Sequence, residues 1–156
     1  MSADAVDENE NKALVRRFFE VGPSRGDLRA ARELLADDFA LHVPLPCSPG
    51  VQGIIEVISA CRAAFEHLDV TVEDMVSEGD RVAARFVARG IHQGDFMGQP
   101  ATGRSITMTG IEIFRIENGR IAELWGEANL LGLMGQLGIL PPSGGRGQGQ
   151  AQAALR

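Results

Sequence analysis

Residues 105–116 read SITMTGIEIFRI and alternate between apolar and polar positions as a β-strand does. One face of this predicted strand places a carboxylate among apolar side chains: Ile106, Met108, Gly110, Glu112, Phe114 and Ile116. If the face points inward, an ionised Glu112 is costly unless it is paired or hydrogen-bonded. A raised pKa is the usual relief and suits a proton-transfer site. Two interpretations therefore fit Glu112: a functional carboxyl group in a pocket, or a carboxylate that is partly solvated or paired with an arginine.

The chain around this strand predicts an α+β domain, with helices first and antiparallel strands after them. Helical spacing predicts helices over about 10–21, 27–35 and 52–66, and a short last helix over about 130–136. Alternation predicts strands over about 39–43, 68–78, 80–92, 104–117 and 120–128. The length of 156 residues suits one domain. We therefore expect a polar N-terminal arm over residues 1–9, a domain over 10–138, and a disordered Gly/Gln/Pro-rich tail over 139–156.

Charge identifies the inward face of the neighbouring strand. Its odd positions include Arg81, Arg85 and Arg89, so its even positions, which include Phe86 and His92, are expected to face the core. His92 ends this buried face. It can donate a hydrogen bond to a substrate oxygen or shuttle a proton, or it can simply fix the loop that follows.

The turn at 117–120 allows two registers of the last hairpin. A two-residue turn at Asn118-Gly119 pairs the residues on either side of it. In that register Trp125 lies beside Glu112 and lines the pocket.

A three-residue turn with a bulge at Gly119 is the alternative, and it is the one we favour. This register puts Leu124 beside Glu112 and turns Gly126 inward. Trp125 and Glu127 then face outward, where Trp125 can serve a subunit contact.

Composition and charge exclude several classes of function. The net charge of −6 argues against nucleic-acid binding, and no stretch approaches the roughly 20 apolar residues of a membrane span. The acidic N-terminus lacks the apolar core of a signal peptide. Cys47 and Cys61 have no metal-type spacing, and three scattered histidines predict no metal site. We therefore expect a cytoplasmic protein with reduced thiols.

Several short segments of the C-terminal half resemble the SnoaL-like polyketide cyclase family, which has the NTF2-like fold. They read GIHQGDFMG at 90–98, PATGR at 100–104, FRIENGRI at 114–121, ELW at 123–125 and QLG at 136–138. The resemblance covers about residues 10–138. It implies a cone in which a curved antiparallel sheet and three N-terminal helices enclose a central pocket.

The resemblance also implies a function. Members of this family are small and need no cofactor. Some close polyketide rings by intramolecular aldol chemistry, and relatives open epoxides, form cyclic ethers or hydroxylate aromatic polyketides. We therefore expect an apolar small-molecule substrate and no cofactor. The two hypotheses are a cyclase or isomerase, and a non-catalytic ligand-binding domain.

The family's aldol cyclases use an Asp as acid/base and a His on the neighbouring strand. Aligned through the Arg-Ile…Gly-Arg-Ile turn, that His falls on Glu112 and that Asp falls on Gly126. This chain lacks the usual acid, but Glu112 could supply a carboxyl group from the opposite strand, and Glu127 lies next to the vacant position. The catalytic candidates are therefore Glu112, His92 and Glu127.

Eight further residues are candidates for ligand binding. They are His42, Phe86, Met108, Phe114, Leu124, Trp125, Gly126 and Asn129. His42 also fits a core or rim histidine, and Asn129, which precedes an apolar helix, also fits an N-cap. Ile111, Ile113 and Trp125 would form an apolar outer patch in the favoured register, which predicts a homodimer through the sheet.

Overall fold

The computed structural model describes residues 7–140 and confirms the α+β class. The helices are α1 (Glu8–Phe19), α2 (Leu28–Glu33), α3 (Gly50–Ala64) and α4 (Leu130–Gln136). The strands are β1 (Leu35–His42), β2 (Phe65–Glu78), β3 (Arg81–His92), β4 (Ser105–Glu117) and β5 (Arg120–Ala128). Residues 1–6 of the predicted arm and 141–156 of the predicted tail lie outside the described residues, whereas Asp7 caps α1 and the helix already includes Glu8 and Asn9.

One curved, open sheet of five strands forms the frame, in the order β2-β3-β4-β5-β1. Strand β1 runs parallel to β5, and all other neighbours are antiparallel. Phe18 and Phe19 of α1 pack edge-on against Phe114 of β4, with ring centroids 5.9 and 5.7 Å apart. Phe19 also packs against Phe86 of β3 at 5.6 Å. Aromatic contacts of this kind fix α1 on the inner face of the sheet.

The segment after α1 differs from the prediction that the helix ends at Gly22. Residues Glu20–Ser24 form a π-helical turn that includes Pro23. The wider turn leaves carbonyl groups unpaired, and the Arg62 guanidinium of α3 donates to two of them, Pro23 O at 2.9 Å and Ser24 O at 2.6 Å. Arg62 therefore holds the turn against α3.

The last hairpin has a register that neither alternative gave. The turn has two residues, because Asn118 and Gly119 both adopt positive φ (50° and 72°), as a type I′ turn requires. A bulge at Ala122 then shifts the pairing, so Glu112 lies opposite Gly126. The favoured three-residue turn is wrong. That register nevertheless turned Gly126 inward and Trp125 outward, as the structure does. One extra residue in the strand inverts the alternation of the residues after it, whether it lies in the turn or at Ala122.

Candidate active site

Glu112 lies on the inner face of β4 between two very small residues. Its cross-strand neighbours are Ala84 on β3 and Gly126 on β5. A Cβ atom built on Gly126 would stand 3.5 Å from Glu112 Oε1 and 3.1 Å from Val43 Cγ1. The absence of side-chain bulk at position 126 therefore leaves the space above β5 to the Glu112 carboxyl group.

A cavity of about 130 Å³ lies between this face of the sheet and the helices. Its walls are mostly apolar and include Phe19, Ile58, Phe65, Phe86, Phe96 and Met108. Because β1 and β5 run parallel, the residues that follow them meet at the same edge of the sheet. Pro44 and Glu127, both exposed, line the cavity at this edge. The cavity therefore opens to solvent between the loop after β1 and the end of β5.

The Glu112 carboxyl group has no polar partner in the part of the chain that the structure describes. It makes no hydrogen bond or ion pair with any of residues 7–140, and the surface that it keeps faces the cavity. Burial raises its pKa from 4.5 to about 8. A pKa above 7 means that the protonated form predominates at pH 7. Glu112 is therefore mainly a neutral acid near neutral pH.

Cys61 of α3 lines the same cavity. Burial raises the pKa of its thiol to about 11, and the Glu112 charge contributes to the same shift. Cys61 therefore stays protonated near neutral pH. It was not among the predicted site residues, although it shares the apolar stripe of α3 with Ile54 and Ile58, and that stripe was the available signal.

His92 is fully buried but lies outside the cavity lining. Its Nδ1 accepts a hydrogen bond from the Thr102 N–H at 3.2 Å and lies 3.0 Å from the Thr102 hydroxyl oxygen. An accepting Nδ1 places the ring proton on Nε2, which has no partner within residues 7–140. His92 thus fixes the loop 93–104, and that loop carries Phe96 into the cavity wall.

His42 and Trp125 lie on the outer face of the sheet and do not line the cavity. This corrects their place among the ligand-binding candidates, although the favoured register already turned Trp125 outward. Their rings stack with centroids 5.3 Å apart and an interplanar angle of 13°. His42 Nε2 lies 2.8 Å from Glu123 Oε1, and Arg115 Nε donates to Glu123 Oε2 at 3.1 Å. Gly126 faces the cavity, so alternation turns Trp125 away from it.

Five other candidates occupy two kinds of position. Phe86, Met108 and Gly126 line the cavity. Phe114 and Leu124 are fully buried in the core and do not line it.

The two polar candidates near the end of β5 lie close to the opening of the cavity. Asn129 is exposed and caps α4, accepting from the Gly132 N–H at 2.9 Å. Glu127 is exposed opposite Ile111.

Within 7–140, no three or more His, Cys, Asp or Glu side chains are grouped so that they could hold a metal ion. No helix in this range is both long and apolar enough to cross a membrane.

Residues 13–137 match the family described as SnoaL-like polyketide cyclase. The chain belongs to this family. Its fold is NTF2-like, as the resemblance predicted. The family supports a general role in polyketide cyclisation.

Similar solved structures agree with this assignment. TsrD from Streptomyces laurentii is 33% identical, with 86% of this chain and 99% of that chain covered and a TM-score of 0.79. IdmH from Streptomyces antibioticus, a candidate polyketide cyclase, is 36% identical over 82% and 98%, with a TM-score of 0.73. AclR from Streptomyces galilaeus, a candidate hydroxylase, is 27% identical over 86% and 100%, with a TM-score of 0.78. No protein with a curated description matches the chain.

Proposed function

We propose that this SnoaL-like protein is a cofactor-independent cyclase or isomerase for an apolar, oxygenated small molecule, with Glu112 as the group that transfers the proton. The observation that carries the proposal is the unpaired Glu112 carboxyl group, which lies in an apolar cavity directly opposite Gly126. Gly126 is the position to which the resemblance assigns the family's catalytic Asp. A carboxyl group from β4 thus reaches the space that an acid on β5 would occupy.

The protonation state of Glu112 defines its first step. As a neutral acid, the carboxyl group donates its proton to a carbonyl, epoxide or ether oxygen of the bound substrate. A nucleophilic carbon or hydroxyl group of the same molecule then attacks the activated carbon. The Glu112 carboxylate takes up the proton that the nucleophile releases, which restores the acid and leaves an isomer of the substrate.

The apolar walls support this chemistry in two ways. They hold a flexible substrate in the folded shape that brings its reacting atoms together. They also exclude water, which strengthens the interaction between the Glu112 proton and the substrate oxygen. We propose that His92 assists as a positioning residue, because its contact with Thr102 fixes the loop that carries Phe96.

A non-catalytic ligand-binding role is the second candidate. The glycine at position 126 favours it, since the family's usual acid is missing there. The Glu112 carboxyl group also lacks a hydrogen-bond partner that would orient it for proton transfer. In this case the cavity binds an apolar molecule and releases it unchanged.

Turnover by Glu112→Gln tests the proposal on a substrate found by screening polyketide, epoxide and hydroxy-ketone substrates. The change keeps the shape of the side chain and removes its proton, so we expect turnover to fall by about 100- to 10,000-fold. Glu127→Gln is the matched control, because it makes the same change at the exposed edge of the cavity. We expect it to keep turnover within a few-fold.

Two results would contradict the assignment. If Glu127→Gln abolishes turnover while Glu112→Gln retains it, the acid is at the opening of the cavity. If the wild-type protein binds such molecules tightly and converts none of them, the ligand-binding role is correct.

We further propose that the protein acts in the cytoplasm as a homodimer. Cys47 and Cys61 are both free thiols, which accords with a reducing compartment. The outer face of the sheet exposes Ile111 and Ile113 beside Trp125, and a second copy could cover this apolar patch.

A further inference from the structure

The lining of the cavity has very few groups that can form hydrogen bonds. Among the lining residues that the structure describes, only Cys61, Met108, Glu112 and Glu127 have a side chain with an oxygen or sulfur atom. Glu127 lies at the exposed edge, and thiol and thioether groups bond only weakly. Among the described lining residues, Glu112 is thus the one strong hydrogen-bonding side chain in the interior.

The backbone of the walls adds little to this. The inner strands exchange their N–H and C=O groups along the sheet, and α3 pairs its own groups internally. Pro23 and Pro44, which also line the cavity, have no N–H to donate. A ligand oxygen placed against the sheet or α3, away from Glu112, therefore loses its hydrogen bonds to water and gains none from these two walls.

We propose that the cavity selects a hydrocarbon-like substrate with a single oxygen function in its buried part, and that this oxygen binds against Glu112. The inference rests on the proposed function and narrows its substrate class. A densely oxygenated aromatic polyketide would leave several buried oxygens unpaired. Each unpaired oxygen weakens binding by about 5- to 150-fold.

The size of the cavity fits this class. A volume of about 130 Å³ is close to that of apolar cavities that hold one aromatic ring. Its opening beside Pro44 and Glu127 gives solvent to the remainder of a longer substrate. Additional oxygens are therefore tolerated outside the cavity and excluded from its interior.

Three compounds with one carbon skeleton test the proposal by titration calorimetry at pH 7. Ethylbenzene has no oxygen, acetophenone has one, and 3′,5′-dihydroxyacetophenone has three. Each has a single ring, which the cavity can enclose. We expect acetophenone to bind at least about 10-fold more tightly than the dihydroxy compound, because two hydroxyl groups would be buried without partners. We also expect it to bind several-fold more tightly than ethylbenzene, because only the ketone accepts a hydrogen bond from Glu112.

The variant Glu112→Leu tests whether the ketone oxygen binds against Glu112. It should remove or reverse the preference for acetophenone over ethylbenzene, while the dihydroxy compound remains the weakest of the three. Glu112→Gln retains an N–H donor, so it should keep the preference for the ketone. If Glu112→Leu folds poorly, this variant still shows that the preference depends on a hydrogen bond and not on the charge of Glu112. Circular dichroism checks the fold of each variant.

Three outcomes would overturn the inference. The first is binding of the dihydroxy compound as tightly as acetophenone. The second is an unchanged preference for the ketone in folded Glu112→Leu, and the third is no binding of any compound below about 1 mM. Failure here is distinct from failure of the proposed function, because a substrate with many oxygens could still be converted in a Glu112-dependent way. Conversely, the selectivity can hold while Glu112→Gln leaves turnover unchanged, which would refute only the catalytic role.

Discussion

Glu112 and Glu123 are carboxylates on adjacent strands, and the two faces of the sheet give them opposite properties. On the outer face, hydrogen bonds from His42 and Arg115 lower the pKa of Glu123. On the inner face, burial without a partner raises the pKa of Glu112 to about 8. The difference shows how alternation along a strand assigns the same residue type to a surface ion pair or to an acid in a cavity.

The two faces also differ in what their carboxylates do for stability. Glu123 belongs to a partly exposed network of ion pairs on the outer face, and pairs that solvent still reaches contribute little. Glu112 makes the folded state less stable whenever it is ionised, since nothing compensates its charge. A group that lowers stability and lines a cavity is a candidate for function, and that reasoning supports the role of Glu112 as an acid.

The largest effect that should sharpen this comparison comes from moving the acid between strands. In the double variant Glu112→Gln/Gly126→Asp, a carboxyl group returns from β5 to the space opposite position 112. We expect the turnover of this double variant to be at least about 10-fold higher than that of Glu112→Gln, because a second acid reaches the same region of the cavity. Steady-state kinetics on the screened substrate measures the recovery.

Position 126 can accept this change with a small adjustment. Its backbone does not have the positive φ that restricts a residue to glycine, and Val43 Cγ1, 3.1 Å from the new Cβ, must move by a few tenths of an ångström. Glu112→Gln/Gly126→Asn is the matched control, because it adds the same bulk without an acid. Equal turnover of the two double variants would show that a carboxyl group at position 126 cannot replace the one at position 112.

Much of this arrangement could be predicted from the sequence, for identifiable reasons. Alternation is a local property, so it located the strands and placed Glu112 on the buried face. The bulge at Ala122 left no such signal, because either turn length satisfies the pattern of apolar residues nearby. The position of His42 depends on the parallel pairing of β1 with β5, a contact between residues about 80 positions apart in the chain.

The outer face should also pair two copies of the chain, a smaller effect that concerns only this side of the comparison. Ile111 is 52% exposed and Ile113 is 39% exposed beside Trp125. We expect sedimentation equilibrium to give twice the chain mass of 16.7 kDa for the wild type, and the single mass for Ile111→Lys/Ile113→Lys. Leu131→Lys is the control, since Leu131 is 68% exposed on α4. A monomeric wild-type protein at high concentration would refute the pairing.

The smallest effect is a difference in how stability depends on pH, and it distinguishes the two glutamates directly. The pKa of Glu112 rises from 4.5 to about 8 on folding, so between these values the folded protein holds a proton that the unfolded chain has lost. Stability therefore falls as pH rises through this range and levels off above about pH 8. Glu112→Gln removes this slope. The melting temperature of the variant minus that of the wild type should therefore be about 5 to 10 °C larger at pH 8.5 than at pH 5.5.

Glu123→Gln is the control with the opposite sign. Its hydrogen bonds lower the pKa of the carboxyl group in the folded state, so they stabilise the protein above the unfolded pKa and are lost as pH falls through the folded value. The Glu123 carboxyl group is ionised in both the folded and the unfolded state throughout pH 5.5–8.5, so its own titration adds no slope to the difference between Glu123→Gln and the wild type there. The Cys61 thiol, with a pKa of about 11, does not titrate in this window. If the melting temperatures of Glu112→Gln and the wild type change with pH in the same way between pH 5.5 and 8.5, Glu112 is already ionised in the folded state, and its role as a neutral acid is wrong.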